Sequence, residues 1–302
     1  MNGKISNLAQ IASLRRYTVN DGRGKGLDVI DIDNGKIRFL LNVTKALDIM
    51  QLYHEGMNVS FLSKNAFTAR EIPFLKRFEG GMLYTCGLDS AGARPGFEIH
   101  GSFHNTNAEI LRAECTETEI VVEAVIVDSA LFGQNLAVRR KISTAVGSET
   151  LTLVDTVTNN GYTPAEYSVL YHINVGYPML DEGAKIIADV RSTTPTTDFA
   201  KEGVDSCLEM TDCVVDIDER CYYHDLAKPE VSLVNEKLGK RFDLVYSQDT
   251  LPCFLEWKSM RSGDYALGLE PCTSKVGPAL EPKPLGAGES ATLSFSISVK
   301  NL

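Results

Sequence analysis

The chain of 302 residues carries 40 Asp and Glu against 30 Lys and Arg, a net charge of −10. That balance denies it the basic face needed to neutralise phosphates, which argues against nucleic acid and anionic lipid as partners. With 43% hydrophobic and 23% charged residues it reads as a globular chain with an ordinary core, and no apolar run approaches the roughly 20 residues of a membrane-spanning helix.

At the N-terminus the sequence through Tyr17 lacks the apolar stretch of a secretory signal, so a cytoplasmic protein is expected. Leu8, Ile11 and Ala12 fall on one face of a helix predicted over Ser6 to Arg15, with Ser6 as its cap. From there the period is that of strands. Leu27 to Ile32 and Lys36 to Leu41 flank Asp33-Asn34-Gly35, the strongest short-range hairpin signal in the chain. Glu119 to Val127 is a third run, and Leu151 to Thr158 enters a second Asn-Gly turn at Asn159-Asn160-Gly161. The segment 192–197, Ser-Thr-Thr-Pro-Thr-Thr, is predicted to be a surface loop. Ala291 to Val299 alternates cleanly and closes the chain as a strand.

No fixed-period repeat and no low-complexity linker divides this pattern, so residues 1–302 are expected to form one all-β domain, a large antiparallel sandwich with few short helices. The seven cysteines are odd in number and contain no Cys-x-x-Cys pair. They are expected to be reduced thiols, without a zinc framework.

Five histidines are the scarce chemical resource: His54, His100, His104, His172 and His224. His100 and His104 belong to a segment running Ile99-His100-Gly101-Ser102-Phe103-His104-Asn105. His172 opens His172-Ile173-Asn174, and Glu270 ends the apolar run Tyr265-Ala266-Leu267-Gly268-Leu269. A carboxylate at such a position is costly unless paired, and burial beside histidines moves its proton affinity toward neutrality, where it can act as a base.

These three motifs, in this order, resemble the galactose mutarotase (aldose 1-epimerase) superfamily, whose pattern is an early His-Gly-Gly, a middle Asn-His-x-Tyr-Phe-Asn-Leu and a late Leu-Glu-Pro. The closer similarity is to its uncharacterised aldose-1-epimerase-like branch. It extends over Gly80 to Leu88, Glu219 to Asp225, Trp257-Lys258, Gly263 to Pro271 and Gly288-Glu289-Ser290. The departures are Ser102 for the second Gly, Tyr171 for the Asn before the middle His, and Asn174 and Val175 at aromatic positions.

The resemblance implies a galactose mutarotase-like supersandwich and the interconversion of sugar anomers without a cofactor or metal. Glu270 would take the proton of the anomeric hydroxyl, and His172 would protonate the ring oxygen from the other side of the sugar. His100, His104, Asn174, His224, Trp257 and Lys258 would form the substrate-binding shell. Tyr171 and Tyr177 are further candidates for stacking on a sugar, and Arg94 and Arg261 for holding an anionic substituent. Two other readings stay open: a metal-dependent isomerase or lyase using His100, His104, His172 and Glu270, and a non-catalytic carbohydrate binder.

Overall fold

A computed structural model describes residues 3–302. The first sheet takes five strands in sequence order: β1 (Ser13–Thr18), β2 (Asp28–Asp33), β3 (Ile37–Asn42), β4 (Asp48–His54) and β5 (Met57–Asn58). Helix α1 (Phe74–Arg77) then leads to a thirteen-stranded sheet. Its members are β6 (Leu83–Leu88), β7 (Glu109–Cys115), β8 (Glu119–Ser129), β9 (Asn135–Ala145), β10 (Thr150–Asn159), β11 (Ala165–Gly176), β12 (Lys185–Pro195), β13 (Arg220–Asn235), β14 (Lys240–Tyr246), β15 (Cys253–Arg261), β16 (Asp264–Cys272), β17 (Lys283–Leu285) and β18 (Ser290–Asn301). Helix α2 (Asp198–Glu202) falls between β12 and β13. The order is β17-β11-β16-β15-β13-β14-β18-β10-β9-β8-β7, with β6 added to β11 and β12 to β13, and every named ladder is antiparallel.

The all-β antiparallel expectation is therefore met, and local patterns explain much of it. Asn34 turns the β2–β3 hairpin because its Oδ1 accepts from the amides of Lys36 and Ile37. Along β10 buried and half-buried residues alternate strictly, as in a strand with one face on the core. The two sheets share one apolar cluster, to which the first contributes Ile30, Phe39 and Leu41 and the second Val122, Leu153 and Phe295.

Three local expectations are corrected. In place of a helix over Ser6 to Arg15 there is one 3₁₀ turn, Leu8–Gln10, capped by Asn7, and then strand β1. The side chain of Arg16 instead forms an ion pair with Asp28 across the β1–β2 ladder, so tertiary pairing overrides a weak local propensity. The Asn159 turn closes no hairpin, because β10 pairs with β9 and β18 rather than with β11. Its amide reaches the carbonyls of Thr163, Leu285 and Gly286 instead. Residues 192–195 are not loop but the end of β12, paired with residues 222–225 of β13 beyond two register shifts.

A buried ionic network joins the sheets. Arg140 on β9 binds Asp155 on β10 through two nitrogens, and also the carboxylate of Asp48 on β4 and the hydroxyl of Thr85 on β6. With their polar atoms mutually satisfied, these groups can be buried at tolerable cost. Among the described residues no helix is long and apolar enough to cross a membrane.

Candidate functional site

Strands β11 and β16 are buried along nearly their whole length, so a polar side chain on either needs a reason to be there. Their register pairs Leu170 with Cys272 and Ile173 with Leu269, which sets His172 directly opposite Glu270 on one face. His172 Nδ1 lies 3.1 Å from Glu270 Oε1, with side chains 6% and 1% exposed. The contact is too oblique for a hydrogen bond, and neither atom has another partner. Burial, with His100 nearby, drives the His172 imidazole well below its ordinary affinity for a proton. Burial, with the Glu219 carboxylate nearby, drives Glu270 well above its own. Each group thus resists its charged form.

The expected geometry changes in one respect. At 3.1 Å no sugar ring fits between the two groups, so the expected arrangement with a sugar flanked by the pair is not met.

Glycine makes the space. A Cβ on Gly268 would meet Glu270 Oε1 at 2.3 Å and the Trp257 Cβ at 3.0 Å, so the carboxylate occupies the volume of the missing side chain. Gly101 serves the loop of His100 in the same way: its φ is +76°, and a Cβ would come within 2.5 Å of the Gly87 and Ser90 carbonyls. This loop sets the ring of His100 5.5 Å from that of His172. His100 Nδ1 accepts from the Gly92 amide at 3.2 Å, which leaves Nε2 as the donor of a neutral imidazole. Burial lowers the His100 pKa to about 4.

Aromatic rings wall the pair. Trp257 stands 5.2 Å from the His172 ring, edge-on, and its indole N–H donates to Glu219 at 2.7 Å. Phe78 lies 5.4 Å from His172, and Phe74 lies 5.1 Å from His100. The two phenylalanines were missed in the sequence. Their only signal is an aromatic pair at helical spacing, i and i+4, in a segment without strand pattern.

His100, His172, Glu270 and Trp257 are brought together. Asn174 shares the face of His172, and its amide donates to the His172 carbonyl at 2.9 Å. Three expected members fall elsewhere. His104 is buried with Nδ1 2.6 Å from Asp48 and Nε2 3.0 Å from Glu79, its ring stacked on Tyr84. Its carboxylate partners raise its proton affinity against burial, so its place is in the ionic network. A metal set that includes His104 is not assembled.

His224 and Lys258 lie on the other face of the sheet. Trp257 pairs with Gly268 and Leu255 with Glu270, so the intervening Glu256 and the following Lys258 must point away from the His172–Glu270 pair. His224, 2.8 Å from Glu256, goes with them. The Lys258 ammonium is held by the carbonyls of Cys207, Ser206 and Glu209. Tyr171 is core and donates to Asp155, Tyr177 is exposed, and Arg261 pairs with Asp216.

The fold has solved counterparts. A Klebsiella pneumoniae protein described as a "putative aldose 1-epimerase" superposes with a TM-score of 0.86 at 22% identity, covering 95% of this chain and 83% of its own. A galactose mutarotase-like protein from Clostridium acetobutylicum gives 0.70 at 12% identity, covering 97% of this chain and all of its own. No curated protein matches the chain in sequence. At these identities the likeness establishes the galactose mutarotase-like sandwich and nothing finer. Residues 24–289 match the profile described as "Domain of unknown function (DUF4432)", and the chain belongs to that family.

Proposed function

We propose that the protein interconverts the anomers of a free sugar by acid–base ring opening and closure, with Glu270 and His172 as the proton-transferring pair. The observation that carries this reading is the convergence of two buried, unpartnered atoms of opposite chemical role, His172 Nδ1 and Glu270 Oε1, inside an aromatic wall. The pair holds one proton. In the reactive form that proton is on His172 as imidazolium and Glu270 is ionised. Glu270 accepts the proton of the anomeric hydroxyl while the imidazolium gives its proton to the ring oxygen, the C1–ring oxygen bond breaks, and a neutral imidazole and a carboxylic acid remain. Rotation about C1–C2 and reclosure run the same transfers backwards, giving the other anomer. With the two groups 3.1 Å apart, a turn of the imidazole into line with the carboxylate lets the proton return between them without entering solvent.

Trp257 and Phe78 offer apolar faces to sugar C–H groups, and His100 Nε2–H is a donor for a ring or hydroxyl oxygen. The Glu219 carboxylate near Glu270 favours a neutral sugar over a phosphate or uronic acid. His172 is 5% exposed with Phe78 against it, so entry of a sugar requires the α1 segment to move.

The test is anomer exchange followed by magnetisation-transfer NMR over a panel of aldoses, uronic acids and sugar phosphates. Accelerated exchange of at least one neutral aldose is expected. A sugar that binds while exchange stays at the uncatalysed rate throughout would make the protein a carbohydrate binder instead.

A further inference from the structure

The face of the sheet opposite the His172–Glu270 pair carries a second chemical cluster. Cys207, His224 and Glu256 are all buried, and one ligand atom from each lies within 4.8 Å of the others. His224 Nε2 is 2.8 Å from Glu256 Oε2, while its Nδ1 is 2.9 Å from the Thr193 hydroxyl. Two more polar atoms point to an unmet need. Glu256 Oε1 is buried without a hydrogen-bond partner, and so is the hydroxyl of Tyr222, the residue directly across the β13–β15 ladder from Glu256. Orphaned groups at such depth call for an ion or an ordered water.

We propose that Cys207, His224 and Glu256 bind a divalent transition-metal ion of the zinc type, which ties the segment after α2 to the strands β13 and β15. One sulfur, one imidazole nitrogen and one carboxylate oxygen form a borderline-soft set that suits zinc and not magnesium or calcium. Thr193 orients the imidazole by accepting from Nδ1–H, the outer-shell contact that metal-bound histidines ordinarily have. Water or the Tyr222 hydroxyl completes the tetrahedron. Binding releases the Cys207 thiol proton and any proton held between His224 and Glu256.

Lys258 shares this face, and its N–H groups are directed to backbone carbonyls of the same segment. Without an ion it offsets the charge of Glu256. The cluster has no access to the sugar-binding face and acts as a clamp, independent of the proposed catalysis. Its ligands come from a turn and two strands up to 49 residues apart in sequence (256 less 207), which is why no close Cys or His spacing announces it.

The test uses tag-free protein freed of metal by chelator and titrated with cobalt(II), then with zinc against a chromophoric competitor. One equivalent should bind with a sulfur-to-cobalt charge-transfer band and tetrahedral-strength visible bands, and zinc should raise the thermal midpoint. In Cys207→Ser the charge-transfer band should vanish. If that variant does not fold, Glu256→Gln should keep the sulfur band and alter the visible bands. No uptake by the parent protein would show a metal-free polar cluster satisfied by water. A spectrum unchanged in both variants would place the ion elsewhere, and either result overturns the proposal.

Discussion

Gly268 and Glu270 sit two residues apart on one face of β16, and the carboxylate of the second lies where a side chain on the first would be: a Cβ at 268 would fall 2.3 Å from Glu270 Oε1. The nearest obstructing atom is the end of a flexible side chain, and the Trp257 Cβ at 3.0 Å has to give by only a few tenths of an ångström, so Gly268→Ala should fold and push the carboxylate off the His172 imidazole. Anomer exchange should then drop by about 10²-fold with little change in melting temperature, since a misplacement of about 1 Å at a reacting group has that effect. An unaltered rate would mean that the carboxylate's position is immaterial.

Glu270→Gln keeps the shape of the side chain and removes the proton acceptor. Turnover should fall by about 10²–10⁴-fold with KM far less affected, and His172→Asn should behave alike if the two residues act as one pair. Steady-state exchange rates over a range of sugar concentrations separate the two constants.

The pH profile tests the same pair from another side. The pair must hold one proton to protonate the ring oxygen, and the affinity of Glu270 for it is raised by burial, so kcat/KM should fall with alkali, as that proton is lost, at a pH well above the ordinary carboxylate range. Substituting Glu219 by Gln removes a like charge and should move that limb to lower pH. It also replaces the acceptor of the Trp257 N–H, so the fluorescence of this single tryptophan should change in the same variant.

His100 contributes to stability with a defined sign. Its folded pKa of about 4 lies below the ordinary 6.5, so between these values the unfolded chain binds a proton that the folded protein does not. Stability should therefore decline as pH falls from about 6.5 to about 4. In His100→Gln the decline across that window should be shallower, as urea melts at a series of pH values would reveal.

His104→Ala should act on stability rather than on chemistry. It leaves Asp48 and Glu79 buried with one hydrogen-bonding partner fewer, a loss of about 3–5 kcal/mol for a broken buried pair. The protein that remains folded should still catalyse exchange at close to the parent kcat. A large fall in kcat without destabilisation would return His104 to the substrate shell.

The sequence by itself determined strands such as β10 and β18, because a period of two along a half-buried ladder is written residue by residue, but not the start of β1 or the end of β12, where pairing with another strand overrides local propensity. It also singled out His100, His172 and Glu270, since a polar residue in an apolar run stands out against its neighbours, and a resemblance in order and spacing linked them. What it could not decide was facing. Lys258 follows Trp257 in one motif, yet that single step along the strand turns it to the opposite side of the sheet, the side that His224 also faces. His104 is four residues from His100 but follows a break at Gly101, so strand alternation does not relate the two, and Asp48 and Glu79, far away in sequence, claim its ring. The direct contact of His172 with Glu270, the aromatic cover from Phe74 and Phe78, and the Cys207–His224–Glu256 cluster all arise from pairing between distant segments. Such contacts depend on the ladder order of the whole sheet, which no local pattern encodes.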